Sequence, residues 1–405
     1  MTDHRQVPPD HAPAVPRRAL AILVTALVAN AVGHSYALMV LPPLGRQMGF
    51  GDIRTGWLIG LAALLLTVSG PVWGSVCDRW GRRLALMTGL AAAAAFAAVF
   101  AGVLAGRGTG ALSAGLAFTL LLSARLAQAL LTGGLMPGAQ AFLADATTER
   151  RRASGMGLMG ASFGAGTILG GALSWGFGAS GAGTALLLIA GVQGLAFLLL
   201  FLLPVSRGMP RLPGGGIAPL SPRQIWPFLL TTFLGLGAYG QMQQVMALRL
   251  QDGFDLPLQD AVQRSGAVMM ATMIAMVITQ GAVVRRLDWP PLRMIRVGAI
   301  GAGLCLAGVA VAPALPVLMV GMVGVGAMLG LLIPGNLAGL SLRAGGGAQA
   351  RAAGLNAIGQ GVGLAVGPVV GATMHQLSPQ APFLLAAVLM LTIAGLAFRP
   401  RLFGI

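Results

Sequence analysis

The stretch Gly74-Ser75-Val76-Cys77-Asp78-Arg79-Trp80-Gly81-Arg82-Arg83 gathers four charges between two uncharged apolar runs, about Gly56–Val76 and Leu84–Leu104. Each run is long enough to cross a bilayer as a helix, for which roughly 20 residues suffice. So short a charged connection describes two antiparallel membrane helices joined by a basic loop.

The same alternation fills the chain. Of its 405 residues, 56% are hydrophobic and only 9% charged, whereas a soluble domain carries about 25% charge. Disorder is excluded by the same apolar content. Twelve apolar runs can be counted. Those of the first half are about Leu20–Leu41, Gly56–Val76, Leu84–Leu104, Leu112–Leu143, Gly155–Phe177 and Ala185–Leu203. Those of the second are Pro227–Leu248, Ser265–Val284, Ile295–Ala312, Pro316–Leu340, Leu355–Met374 and Phe383–Phe398. The expected fold is therefore an all-α integral membrane protein of 12 transmembrane helices.

All 26 basic residues are Arg, and the formal charge is +16. With Gly and Ala abundant, this composition suggests a GC-rich bacterial genome and hence the bacterial inner membrane. The arginines form short clusters between apolar runs, with no basic helix interleaved with stacking aromatics, so no nucleic-acid partner is expected. With the N-terminus placed in the cytoplasm, 20 arginines fall on inside segments and 5 outside; Arg125 lies within a run. The positive-inside rule then puts both termini in the cytoplasm. Cys77 and Cys305 have no metal-ligand spacing, so neither a metal nor a disulfide framework is expected.

Residues 1–18 read as a polar, Pro-rich tail, without a cleavage signal before the first span. Pro204 to Gln224 holds four Gly, five Pro and three Arg, and residues 204–225 read as a cytoplasmic linker. It divides a six-helix bundle over 19–203 from another over 226–398, with 399–405 as a C-terminal tail. The halves echo each other: Arg152-Ala-Ser-Gly155 opens the fifth span and Arg351-Ala-Ala-Gly354 the eleventh, 199 residues later. Two pseudo-symmetric halves joined this way match the parallel-repeat architecture of many secondary transporters.

The loop Gly74–Arg83 resembles the signature Gly-x-x-x-Asp-Arg-x-Gly-Arg-Arg/Lys of the major facilitator superfamily. Gly74, Asp78, Arg79, Gly81, Arg82 and Arg83 match it, at the place where the family has it. The resemblance implies a conformational latch here, with Asp145 at the end of the fourth span as a further member. In the second half the equivalent Gly281-Ala-Val-Val-Arg285-Arg286-Leu287-Asp288 has Arg285 where Asp78 stands, so a second latch should be weak or absent. Arg125-Leu-Ala-Gln128-Ala129 resembles the family's Arg-x-x-Gln-Gly motif and implies a role in proton coupling or substrate binding. The fifth span, with Gly160, Gly164, Gly166 and Gly170, resembles the helix-packing motif of drug/proton antiporters. It departs by reading Gly170-Gly171 where Gly-Pro is usual; Gly367-Pro368 occurs in the eleventh span instead.

Polar residues inside apolar spans face partners, cavities or water. They are Asn30, His34 and Tyr36 in the first span, and Arg125 and Gln128 in the fourth. The seventh span has Tyr239, Gln241 and Gln244, the tenth Asn336, and the eleventh Asn356 and Gln360. Asn30 and His34 share a helix face. These residues are the candidates for a substrate or proton pathway. No carboxylate lies deep in a span, and neither a Walker motif nor a nucleophile–base constellation appears. An enzyme, an ATP-driven pump and a cofactor are therefore not expected.

The expectation is a secondary transporter working by alternating access; that it is proton-coupled and a monomer is what the resemblance implies. The resemblance of the fifth span and the family's many exporters imply efflux, and a neutral or anionic metabolite, siderophore or drug is favoured as the solute, because a cation would meet Arg125 and His34 in a low-dielectric cavity. An importer of organic acids or siderophores would use the same fold. A non-transporting receptor or scaffold would need a soluble domain, and the polar segments are too short for one.

Overall fold

The computed structural model describes residues 17–146, 149–203, 222–345 and 348–404. The N-terminal tail to residue 16 and linker residues 204–221 lie outside these, as do the side chains of Asp78 and Asp145. The described residues form helices and no strand. In the first half these are α1 (Arg17–Gln47), α2 (Asp52–Trp80), α3 (Arg82–Gly108), α4 (Ala114–Thr132), α5 (Leu135–Ala146), α6 (Glu149–Phe177) and α7 (Ala182–Leu199). The second half has α8 (Pro222–Phe254), α9 (Leu258–Ile278), α10 (Val284–Leu287), α11 (Pro291–Ala310), α12 (Leu315–Ala344), α13 (Gln349–His375), α14 (Ala381–Ala397) and α15 (Pro400–Phe403). Among the described residues, nine segments are long and apolar enough to span a membrane.

Most helices outrun the apolar stretches that mark them. The linker's last residues, 222–225, already belong to the first turn of α8. The tail expected over 399–405 includes α15, whose Phe403 is fully buried and stacks edge-on to Phe228 at 4.9 Å.

Two spans are irregular. The expected fourth span is broken into α4 and α5 at Gly133-Gly134. There α2 crosses so closely that a side chain on Gly133 would collide with Ser69, and one on Gly134 would meet the Trp73 ring at 2.7 Å. Trp73 Nε1 donates to the Leu130 carbonyl at 2.6 Å, satisfying an acceptor near the break. The eighth span is interrupted by a π-helical turn, Thr279–Val283, between α9 and α10.

The buried apolar clusters follow the halves. One large core draws on residues 225–403 with Met39, and a second on residues 36–189 with Val262. A smaller core uses residues 19–203. Two seams join the halves. On α2, side chains at Gly56 and Gly60 would run into the Pro368 and Ala365 carbonyls of α13. On α6, Gly171 faces Gly266 of α9, and Ser174 Oγ donates to the Val262 carbonyl at 3.1 Å. The α2–α13 approach continues to Thr67 against Gly361; further along α2, Gly70 and Gly74 have nothing within 4 Å among the described residues. The halves thus close on the face that carries the α1–α2 and α8–α9 turns.

Candidate functional site

A cavity of about 220 Å³ lies between α6 and helices α8, α9, α12 and α13. Of the described residues of the first half, Gly160, Phe163 and Gly164 line it. The second half supplies the polar groups: Thr231, Thr232 and Tyr239 of α8, Gln280 of the π turn, Asn336 of α12 and Gln360 of α13. Met273, Met276 and apolar side chains complete the wall, and among the described residues no ionisable side chain other than Tyr239 lines it.

A buried hydrogen-bond chain braces this wall. Asn336 Nδ2 donates to the Phe228 carbonyl at 3.1 Å and to Thr232 Oγ1 at 2.8 Å, and Thr232 Oγ1 donates to Asn356 Oδ1 at 2.6 Å. Because a carbonyl only accepts, the contact with Phe228 fixes which way the Asn336 amide points. Asn336 Oδ1 and Thr231 Oγ1 remain buried with no partner among the described residues. The cavity wall therefore has hydrogen-bonding capacity left over.

The expected pathway residues divide into three groups. Tyr239, Asn336 and Gln360 line the cavity, and Asn356 stands behind it through Thr232. Asn30 and His34 are half-buried on α1; the His34 ring is 6.4 Å from that of Phe163, a wall residue. Arg125 and Gln128 are buried together away from the cavity. Arg125 donates to Gln128 Oε1 at 2.5 Å and lies over the Phe96 ring at 5.1 Å, within Coulombic reach of His34. Tyr36 is fully buried in the first-half core with its hydroxyl unpartnered among the described residues. Gln241 donates to the Pro382 carbonyl, tying α8 to α14. Gln244 is buried with both amide atoms unpartnered among the described residues.

The glycines of α6 serve two faces. Gly166 and Gly170 sit against Ala31, Val32 and Ser35 of α1, whereas Gly160 and Gly164 open the cavity wall. In α13, Gly367 meets the Gly237 carbonyl of α8, and Pro368 takes part in the α2 seam. In the loop between α2 and α3, Gly81 alone joins two helices at φ 91°, a conformation that favours glycine. Gly74 faces open space and Arg79 is exposed; Arg82 is buried, and Arg83 lies over the Phe201 ring at 5.2 Å.

Gln280 lies inside the expected eighth span but was not singled out there; it reaches the cavity on a π turn, a feature frequent at functional sites. Gln193, buried and donating to the Ala29 carbonyl at 3.2 Å, was likewise missed. A charged group on the α1–α2 face was also overlooked. Arg46 bonds both Asp52 and Asp252, and His375 bonds Asp252.

The family model described as Major Facilitator Superfamily matches residues 23–338. The chain belongs to the major facilitator superfamily. Members of this superfamily are transporters of small solutes rather than enzymes, and this one is a multi-pass membrane protein. It is 31% identical over 191 residues to the class G tetracycline resistance protein of Vibrio anguillarum, which takes in 44% of this chain and 43% of that protein. The chain spans less than half the length of the curated relatives it matches. Two solved structures share the superfamily fold over nearly the whole chain. The human organic anion transporter MFSD10 superposes with a TM-score of 0.66 at 21% identity, covering 94% of this chain and 99% of that one. The nucleoside transporter NupG gives 0.73 at 14% identity, covering 94% and 99%.

Proposed function

We propose that this superfamily member exports a compact, uncharged organic solute across the bacterial inner membrane, driven by the proton gradient. It works as a monomer of two six-helix halves with both termini in the cytoplasm. The observation that carries the substrate class is the cavity wall: neutral amides, hydroxyls and thioethers, without a carboxylate or guanidinium among the described residues. A charged solute there would lose its hydration with no counter-ion to replace it. The volume of about 220 Å³ is short of the roughly 300–1,000 Å³ of drug-sized pockets. This favours a compact solute over a siderophore. The arginine distribution supports reading the closed α1–α2 face as the outer one, so that the halves are in an inward-facing arrangement. The tetracycline-resistance relative supports export over import.

A thermal-shift comparison tests the reading, using the purified protein with chloramphenicol, benzoate and tetraphenylphosphonium as neutral, anionic and cationic probes. A ligand at 100 times its Kd stabilises by about 2.7 kcal/mol. The neutral probe is expected to shift the melting temperature most. Shifts by benzoate alone, lost in Arg125→Gln, would replace this reading with an anion carrier that uses Arg125.

A further inference from the structure

The charged group on the α1–α2 face connects the halves through four side chains. Arg46 Nε and Nη2 donate to the Asp52 carboxylate at 3.0 and 2.6 Å, within the first half. Its Nη1 and Nη2 also donate to Asp252 of α8 at 2.7 and 2.9 Å, across the seam. His375, at the end of α13, meets Asp252 Oδ2 through Nε2 at 2.8 Å. The His375 side chain is only 3% exposed and that of Asp252 36%, so solvent reaches the histidine's partner more readily than the histidine. One guanidinium and two carboxylates leave the group one negative charge in excess while His375 is neutral.

We propose that Arg46, Asp52, Asp252 and His375 form an external proton-binding site, in which one proton taken up by His375 neutralises the cluster and holds the halves closed on the outer face. The site rests on the orientation and alternating-access reading above. A carboxylate only accepts, so His375 Nε2 must carry hydrogen in the bonded state. The incoming proton therefore adds to Nδ1, which is buried without a partner among the described residues; no other bond forms or breaks.

The elements packed around His375 bring few other charges to this face. Arg46 comes from α1, Asp52 and Arg54 from α2, and Arg249 and Asp252 from α8; α14 has no ionisable residue. Arg249 donates to the Ala310 carbonyl at 3.2 Å and lies over the Phe254 ring at 5.0 Å. Burial works to raise the Asp252 carboxyl. The hydrogen bonds from Arg46 and His375, with their charge, outweigh it and hold the group below its ordinary value. Asp252 thus stays ionised as the pH falls through the range in which imidazoles gain charge. Its contribution to closure is lost only when the pH passes below that depressed value. External acid closes the outer seam and so drives the carrier back toward its inward-facing form.

The test is a distance measurement on the full chain in lipid nanodiscs. Spin labels are placed at Thr109→Cys and Val311→Cys, exposed positions on the two halves at this face, with Cys77→Ala and Cys305→Ala. One linked proton allows at most about a tenfold change per pH unit. Between pH 8 and pH 6 the closed-to-open ratio is expected to rise at least about fivefold. His375→Gln, which keeps a hydrogen-bond donor but cannot titrate, should flatten this response. His375→Lys should stay closed at both pH values. A wild-type response preserved in His375→Gln, or a wild type without any response, would overturn the proposal. The readout needs no solute, so a failure of the transport reading would show separately, as an absence of flux in the same protein.

Discussion

The His34–Arg125–Gln128 corner of the first half and the Thr232–Asn336–Asn356 chain of the second differ in where their polar atoms go. In the first, the guanidinium turns to its own helix and to the Phe96 ring, and neither Arg125 nor Gln128 lines the cavity. In the second, neutral side chains on three helices bond one another, and two of them, Thr232 and Asn336, stand in the cavity wall. The more conspicuous charge is thus the group that does not face the cavity. A buried ion needs local partners to offset its desolvation, and meeting that need draws it away from open space. Neutral amides have a smaller desolvation cost and can be left with an acceptor unfilled at a cavity wall.

Breaking the second region should have the larger effect. Asn336→Ala removes two donated hydrogen bonds, one to the Phe228 carbonyl, which keeps its own helix's N–H, and one to Thr232 Oγ1, which keeps its bond to Asn356. Each of these hydrogen bonds contributes about 0.5–1.5 kcal/mol. The variant is expected to melt lower by an amount of that order and to bind the neutral probe at least about tenfold more weakly. Equilibrium binding and thermal unfolding on the same preparation check both. Unchanged affinity would move the solute away from α12.

Arg125→Gln is expected to act differently. If Arg125 serves coupling rather than binding, the Kd for the neutral probe should stay within about threefold of wild type, because a group that does not touch the ligand contributes little to its affinity. Proton-driven flux in vesicles should fall by roughly tenfold or more, as for other intramembrane ionisable groups with functional roles. A rise in Kd matching the loss of flux would instead make Arg125 a substrate residue and erase the contrast between the regions.

The difference between the regions also marks what was legible in the sequence. Apolar runs, the Gly74–Arg83 loop and the arginine asymmetry carry the all-helical membrane fold and the family, because bilayer thickness and loop charge act on contiguous residues. Asn336, Asn356 and Gln360 stand out as amides in apolar spans. Three features were not legible. The break at Gly133-Gly134 depends on Ser69 and Trp73 of another helix. The side to which Gln280, an amide within the eighth span, turns depends on a π turn that shifts the helical phase. The cluster on the α1–α2 face joins residues 206 positions apart, Arg46 and Asp252, each of which reads alone as an ordinary loop charge. The sequence pattern could flag Arg125 as unusual but could not say which way its guanidinium turns.

Tyr36 sharpens the comparison at its smallest scale. Its ring fills the first-half core completely, while its hydroxyl has no partner among the described residues. A buried hydroxyl without a hydrogen bond destabilises the folded state, so deleting it while keeping the ring removes a cost and leaves the packing intact. Tyr36→Phe is therefore expected to leave flux and probe affinity unchanged and to raise thermal stability slightly, by up to about 1 kcal/mol. Scanning calorimetry of the two proteins in one detergent measures the shift. A loss of flux without a loss of stability would mean that the hydroxyl finds a partner in the outward-facing state. The first half would then hold a pathway residue that this conformation keeps folded into its core.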